Sequence, residues 1–241
     1  MSRRLNIVIP ASGHGSRFAK AGYNLPKPLI EVDGMPMIYK VINNLPKDAH
    51  FIFIVRKEHC EKWNFDKYLK EIVKDCDIIK VSEVTEGAAC SILLAKDFIN
   101  NNTPLLLANS DQYLEWNPQE FIEECNKIGS DGVISTFKSS DPKFSYAKLG
   151  NEKEVVKVAE KVVISDIATT GIYFWKKGCD FVKYAESMIS KNLRFNNEFY
   201  TAPVFNEAIL DGKEIKTINC KSFWSLGTPE DLNVYLGINK N

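Results

Sequence analysis

Residues 5–28 read LNIVIPASGHGSRFAKAGYNLPKP, and the rest of the chain is interpreted outward from this stretch. An apolar, β-branched run over 5–9 stops at Pro10 and yields to a loop that carries Ser12, Gly13, Gly15, Ser16 and Arg17, with Lys27 further on. Glycines let main-chain N–H groups come close to an anion, hydroxyls add donors, and fixed cations supply the charge a polyphosphate needs. Strand, Gly-rich loop and cations in that order predict a phosphate site at the end of a strand in an α/β fold.

Two common phosphate loops do not fit. A dinucleotide fingerprint wants a third glycine where Phe18 stands, and a P-loop wants Gly-Lys-Ser/Thr, which does not follow Gly15. Bulk properties narrow the function classes. A chain of 241 residues can bury a full core, and 31 basic against 31 acidic residues leave no general field for nucleic acid or an anionic membrane. Anion binding must therefore be local. The six cysteines show neither a Cys-x-x-Cys pair nor zinc spacing, and read as reduced thiols. No apolar run approaches the ~20 residues of a membrane span. Residues 1–4, Met-Ser-Arg-Arg, lead straight into the first strand without a signal peptide, so a cytoplasmic protein is expected.

Downstream, 29–32 reads as a short strand turning at Asp33-Gly34, and Pro36 suits the first turn of a helix reaching about 45. FIFIV at 51–55 is apolar at every position, as a strand buried on both faces of a parallel sheet requires. A helix is expected over 57–74, with His59 and Cys60 as packing or surface residues, then a strand over 77–84 and a helix from Thr85 to about 98. PLLLA at 104–108 is another buried strand, and Asn109-Ser110-Asp111-Gln112 follows at its carboxyl end, the edge where open α/β sheets bind ligands. An aspartate beside a phosphate site suits Mg²⁺, which takes one or two carboxylates plus phosphate oxygens. A helix over 118–129 and a strand over 132–137 complete an alternation that predicts a mixed, mostly parallel sheet flanked by helices. Beyond it, 146–149, 155–165 and 167–175 are strand-rich and are expected to form an antiparallel addition; helices follow at 179–190, at 203–210 and from Pro229.

Gly-x-Gly-Ser-Arg at 13–17 followed by Leu-Pro-Lys-Pro-Leu at 25–29 resembles the signature of the nucleotidyltransferases that activate sugar phosphates and related phosphates, and matching motifs run from residue 7 to about 232. The resemblance implies a single Rossmann-like, GT-A-like domain over 1–241, with a nucleotide-binding half at about 1–137 and an acceptor-binding half at about 138–241. It implies nucleotide contacts from Pro10, Ala11, Ser12, Gly13, His14, Gly15, Ser16 and Ser110, and base-side contacts from Glu86, Gly87 and Ala88. Arg17, Lys27 and Asp111 take the catalytic roles, Asp111 as the Mg²⁺ ligand. Gln112, Lys161, Thr170, Gly171 and Glu198 face the acceptor, Lys161 from an exposed strand and Glu198 from a helix start. Many relatives carry an aspartate two residues before the Gly-Thr at 227–228; Ser225 stands there, which leaves a second ion without its usual ligand.

Asn-Ser-Asp-Gln and the Gly-Thr-Pro-Glu-Asp-Leu near the end look most like capsule-locus cytidylyltransferases that act on phosphoglutamine. That implies CTP, a phosphorylated small-molecule acceptor and released pyrophosphate, with a homo-oligomer compatible and neither nucleic acid nor membrane as partner. An acceptor phosphate is already ionised, so no general base is required. Three alternatives stay open: a sugar-1-phosphate guanylyl- or thymidylyltransferase, a glycosyltransferase, and a non-catalytic nucleotide-binding subunit. The glycosyltransferase is disfavoured because the one Asp-x-Asp, at 75–77, precedes its strand.

Overall fold

The computed structural model describes residues 5–238, so the expectation placed on residues 1–4 lies outside it. Seven strands form the body of one sheet. From one edge to the other they run Ile215–Asn219, Gly132–Lys138, Ile167–Trp175, Leu105–Ala108, Leu5–Ala11, Ala49–Arg56 and Cys76–Val81. Six point the same way; Ile167–Trp175 pairs antiparallel with both of its neighbours. A hairpin of Tyr146–Leu149 and Val155–Ala159 joins the start of that reversed strand through Ala168 and Tyr146.

Strand alternation explains the fully apolar runs. Ile7 and Ile9, Phe51 and Phe53, Leu106 and Ala108, Ile172 and Phe174 pack on one face, under the helices Met37–Asn43, Lys57–Trp63, Phe65–Ile72 and Pro118–Ile128. Val8, Ile52 and Ile54, Leu105 and Leu107, Tyr173 and Trp175 pack on the other, under Ala88–Leu93, Gly178–Ser190 and Val204–Leu210. Trp175 stacks on Phe205 with ring centres 4.2 Å apart. No helix among the described residues is long and apolar enough to cross a membrane.

Several expectations need correction. The first strand runs through Pro10 to Ala11, because the neighbouring Leu105–Ala108 strand pairs only with Asn6 to Val8; beyond that point the missing proline N–H has no ladder partner to lose. The helix expected over 57–74 is two, broken at Asn64 in the left-handed region (φ 51°), which asparagine tolerates. The one expected from Thr85 begins at Ala88 and stops at Leu93 before a short turn of helix at Lys96–Ile99. The segment 167–175 is antiparallel as expected, and it lies inside the sheet between Leu105–Ala108 and Gly132–Lys138. The last parallel strand, Ile215–Asn219, was not foreseen; nor was the ribbon of Gln112–Glu115 against Ser222–Ser225, held to the end of the helix Met37–Asn43 by Asn44, whose side-chain amide bonds both the N–H and C=O of Leu114 at 2.8 Å.

Candidate active site

The parallel strands deliver their carboxyl ends to one edge of the sheet, and the reversed strand delivers its amino half there. Loops 12–15, 82–87 and 109–111 and the start of Ile167–Trp175 therefore meet. The first loop ends in a left-handed Gly15 (φ 61°), where a side-chain carbon would press to 3.1 Å from Lys27 Cβ. Glycine is needed on both counts. None of the main-chain N–H groups of 13–17 donates to a main-chain carbonyl among the described residues, so these donors are free for an anion.

Two adjoining compartments open along this edge. The first, about 430 Å³, is lined by Pro10, Ala11, Ser12, Gly13, Gly15, Ser16, Lys27, Gly87 and Ser110, together with Val84, Thr85, Ser91 and Glu198. The second, about 390 Å³, is lined by Gln112, Thr170 and Gly171, together with Lys143, Phe144, Glu160 and Asp231. Arg17, Ala88, Asn109, Asp111, Tyr200 and Gly227 line both. A cation and a carboxylate thus stand on the border between two adjoining cavities.

Asp111 is held from two sides. Its carboxylate accepts from the Lys27 ammonium, which also donates to the Gly227 carbonyl at 3.2 Å, and its main-chain carbonyl accepts from Leu226 N–H at 2.8 Å. Gly227 passes close: a side-chain carbon there would lie 3.3 Å from Asp111 Oδ2 and 3.8 Å from Asp231 Oδ2. Asp231 is itself engaged, by Lys143 at 2.7 Å and by the Ser225 hydroxyl at 2.9 Å. The Lys143 ammonium is held above its usual range: burial works against the charge, but Asp231 and Asp141 outweigh it. Residue 225 therefore contributes no carboxylate but positions one.

In the second compartment Glu160 is buried and accepts from the Ser145 hydroxyl. Burial raises its carboxyl above the ordinary range, and nearby Glu198 adds to the shift against the pull of Ser145 and Lys161. Gln112 is buried with neither end of its amide hydrogen-bonded. Gly171, at φ 85°, admits it: a side-chain carbon there would meet Asn109 Nδ2 at 2.3 Å and Gln112 Oε1 at 2.4 Å.

Three expected site residues line neither compartment. His14 turns to Arg56 at 2.9 Å, Glu86 pairs with Arg194 at 2.6 Å, and Lys161 donates to the Tyr200 hydroxyl at 2.6 Å with its ammonium over that ring. Lys161 sits in a loop at φ 52°, past the strand that ends at Ala159, not on a strand. Glu198 is not at a helix start. It closes a tight turn through Asn196 and Asn197, both left-handed, by bonding to Phe195, and it faces the first compartment. Tyr200 and Lys143 were missed; an aromatic after an Asn-Asn turn was the one available signal for Tyr200, and nothing local marks Lys143.

The chain matches the family profile described as nucleotidyl transferase over residues 6–234. It is 26% identical to the bifunctional protein GlmU of Methanococcus aeolicus over 95% of its own length and 53% of that protein's. To the mannose-1-phosphate guanyltransferase of Pichia angusta it is 24% identical, over 93% of its length and 61% of that protein's, so the chain spans little more than half of these relatives. Its fold superposes on the nucleoside-diphosphate-sugar pyrophosphorylase of Vibrio cholerae RC9 with a TM-score of 0.81 at 25% identity, covering 96% of this chain and 99% of that one.

Proposed function

Because the chain belongs to the nucleotidyl transferase family, we propose that it moves a nucleoside monophosphate from a nucleoside triphosphate to a phosphorylated small-molecule acceptor and releases pyrophosphate. The observation that carries this reading is the sharing of Arg17 and Asp111 between two cavities: the triphosphate fills the first, the acceptor the second, and the α-phosphate lies on their border. An acceptor phosphate oxygen attacks the α-phosphorus in line. A new P–O bond forms, the bond to the α–β bridging oxygen breaks, and that oxygen leaves with its electron pair as pyrophosphate.

Both reactants are anions, so the barrier is largely electrostatic. The free N–H groups of 13–17 hold the phosphates that leave, and the Arg17 guanidinium balances charge on the group in flight. The donor set fits one Mg²⁺: a strand-end carboxylate, Asp111, already faces a cation in the Lys27 ammonium and opens on both compartments. Bound there, the ion would supply charge neutralisation between the phosphates. Lys27, once released from Asp111, reaches the phosphate oxygens. No residue need act as a base on an ionised acceptor.

CTP is the triphosphate we favour and phosphoglutamine the acceptor, in making a precursor of a capsule or other surface polysaccharide in the cytoplasm. The buried Gln112 amide, with both ends unpaired beside the acceptor cavity, supports an acceptor that carries a neutral donor and acceptor pair. Likeness to a mannose-1-phosphate guanyltransferase favours a second reading, GTP with a sugar 1-phosphate. Pyrophosphate release with each of four triphosphates against phosphoglutamine, choline phosphate and sugar 1-phosphates distinguishes them. Release with no combination would reject the enzyme reading.

A further inference from the structure

Three mutually bonded hydroxyls line the first compartment without bordering the acceptor cavity. Thr85 and Ser91 line only this first cavity, as does Ser12, whereas Arg17 and Asp111 border both. A triphosphate with its phosphates at Arg17 places its base among these three hydroxyls, and they are not independent of one another.

Thr85 Oγ donates to the Gly87 carbonyl at 2.9 Å; a carbonyl only accepts, so the threonine proton is committed. In the 2.6 Å contact between Thr85 and Ser91, Ser91 must therefore donate. Its proton spent, Ser91 can only accept in the 3.4 Å contact with Ser12, and Ser12 donates. The direction of every proton follows from one carbonyl. Ser12 and Ser91 are 3% and 5% exposed, so water contributes little to reorienting them. What this chain of hydroxyls offers a ligand is lone pairs alone.

We propose that the Ser12–Ser91–Thr85 relay selects the nucleobase, favouring a pyrimidine with an exocyclic amino group, cytosine, over the keto pyrimidines uracil and thymine. The amino group donates to the relay, whereas a keto oxygen would set lone pair against lone pair in a buried site. The inference rests on the reading of this cavity as the nucleoside compartment. Thr85 is a positioning residue, acting through Ser91.

The test is equilibrium binding of CTP, UTP and inorganic triphosphate to the full chain with Mg²⁺, by titration calorimetry. Wild type should bind CTP at least about tenfold tighter than UTP, the effect of one hydrogen bond gained against one repelled. Ser91→Ala frees the Ser12 proton, and Thr85→Val frees the Ser91 proton. Each variant should bring the CTP-to-UTP ratio to within about threefold by strengthening UTP, a gain that loosened packing would not produce. A wild-type ratio within threefold, or variants that weaken both nucleotides in parallel, overturns the proposal. Inorganic triphosphate separates the levels: if it binds while the bases are not distinguished, the relay fails and the phosphate site stands; if neither it nor any nucleotide binds, the site reading fails and the relay with it.

Discussion

Gly87→Ala tests how the cleft is held together. Gly87 has φ 131° and ψ 172°, a region open essentially to glycine alone, and a side-chain carbon there would lie 2.4 Å from the Phe199 carbonyl oxygen and 2.5 Å from its nitrogen. Both are main chain and cannot rotate aside. Reaching ordinary contact at 3.4 Å means moving the strands of chain apart by 3.4 − 2.4 = 1.0 Å. That movement breaks the clip on either side, Phe199 N–H to the Glu86 carbonyl at 2.8 Å and Ala89 N–H to the Phe199 carbonyl at 3.0 Å. Backbone strain costs about 1–3 kcal/mol and each lost bond about 1 kcal/mol, about 3–5 kcal/mol together. At about 2–4 °C per kcal/mol for a domain of this size, the melting temperature should fall by about 6–20 °C. Thermal unfolding followed by circular dichroism measures it. A fall of less than about 3 °C would show that 86–89 and 198–200 are not clipped as described.

Arg17→Ala and Asp111→Ala should each lower the pyrophosphate release rate by about 10²–10³ while melting within a few degrees of wild type; undiminished Mg²⁺-dependent turnover in either would remove that residue from the reaction. Glu160→Gln should change the pH profile of stability. The folded-state carboxyl of Glu160 is raised above its ordinary 4.5 by burial, so folding favours the protonated form, and that stabilisation is present below the unfolded value and lost as pH rises through the folded one. Melts from pH 4 to 8 should show the variant gaining on wild type as pH rises, and equal slopes would contradict the burial argument. Asn44→Ala leaves the N–H and C=O of buried Leu114 without partners and should cost about 2–4 kcal/mol in urea denaturation, with no loss if water replaces the amide fully.

Much of the fold was legible because strands buried on both faces leave an unbroken apolar signature, as in FIFIV and LLLA, and because Pro118 behind the Asn117 cap and Gly129 bracket a helix unambiguously. The loop 12–17 and Asp111 were singled out by composition and by position at strand ends, and the sheet brings them to one cavity. What failed was long-range. Nothing within 167–175 tells whether it pairs at an edge or between two strands already counted, since both environments ask for the same residues. Among the described residues Ile215–Asn219 pairs with one strand alone and carries half-exposed residues, so its pattern resembles a loop. His14, Glu86 and Lys161 share the sequence neighbourhood of the cleft, yet each side chain follows a closer partner, Arg56, Arg194 or Tyr200, that lies far off in sequence. Local pattern fixes where a backbone goes more readily than where a long polar side chain points.

The reversed strand Ile167–Trp175 sits between Leu105–Ala108 and Gly132–Lys138, both made earlier during synthesis. While the ribosome is still short of residue 167, Leu105–Ala108 has a bare flank and Gly132–Lys138 has nothing to dock on. The first hundred and thirty-odd residues are thus a nascent half-sheet with an apolar, unpaired margin, the kind of surface that recruits chaperones or other chains. Cutting this protein at its apparent midpoint should yield two insoluble fragments that regain solubility only when expressed together, since the wedge that closes the sheet arrives with the second.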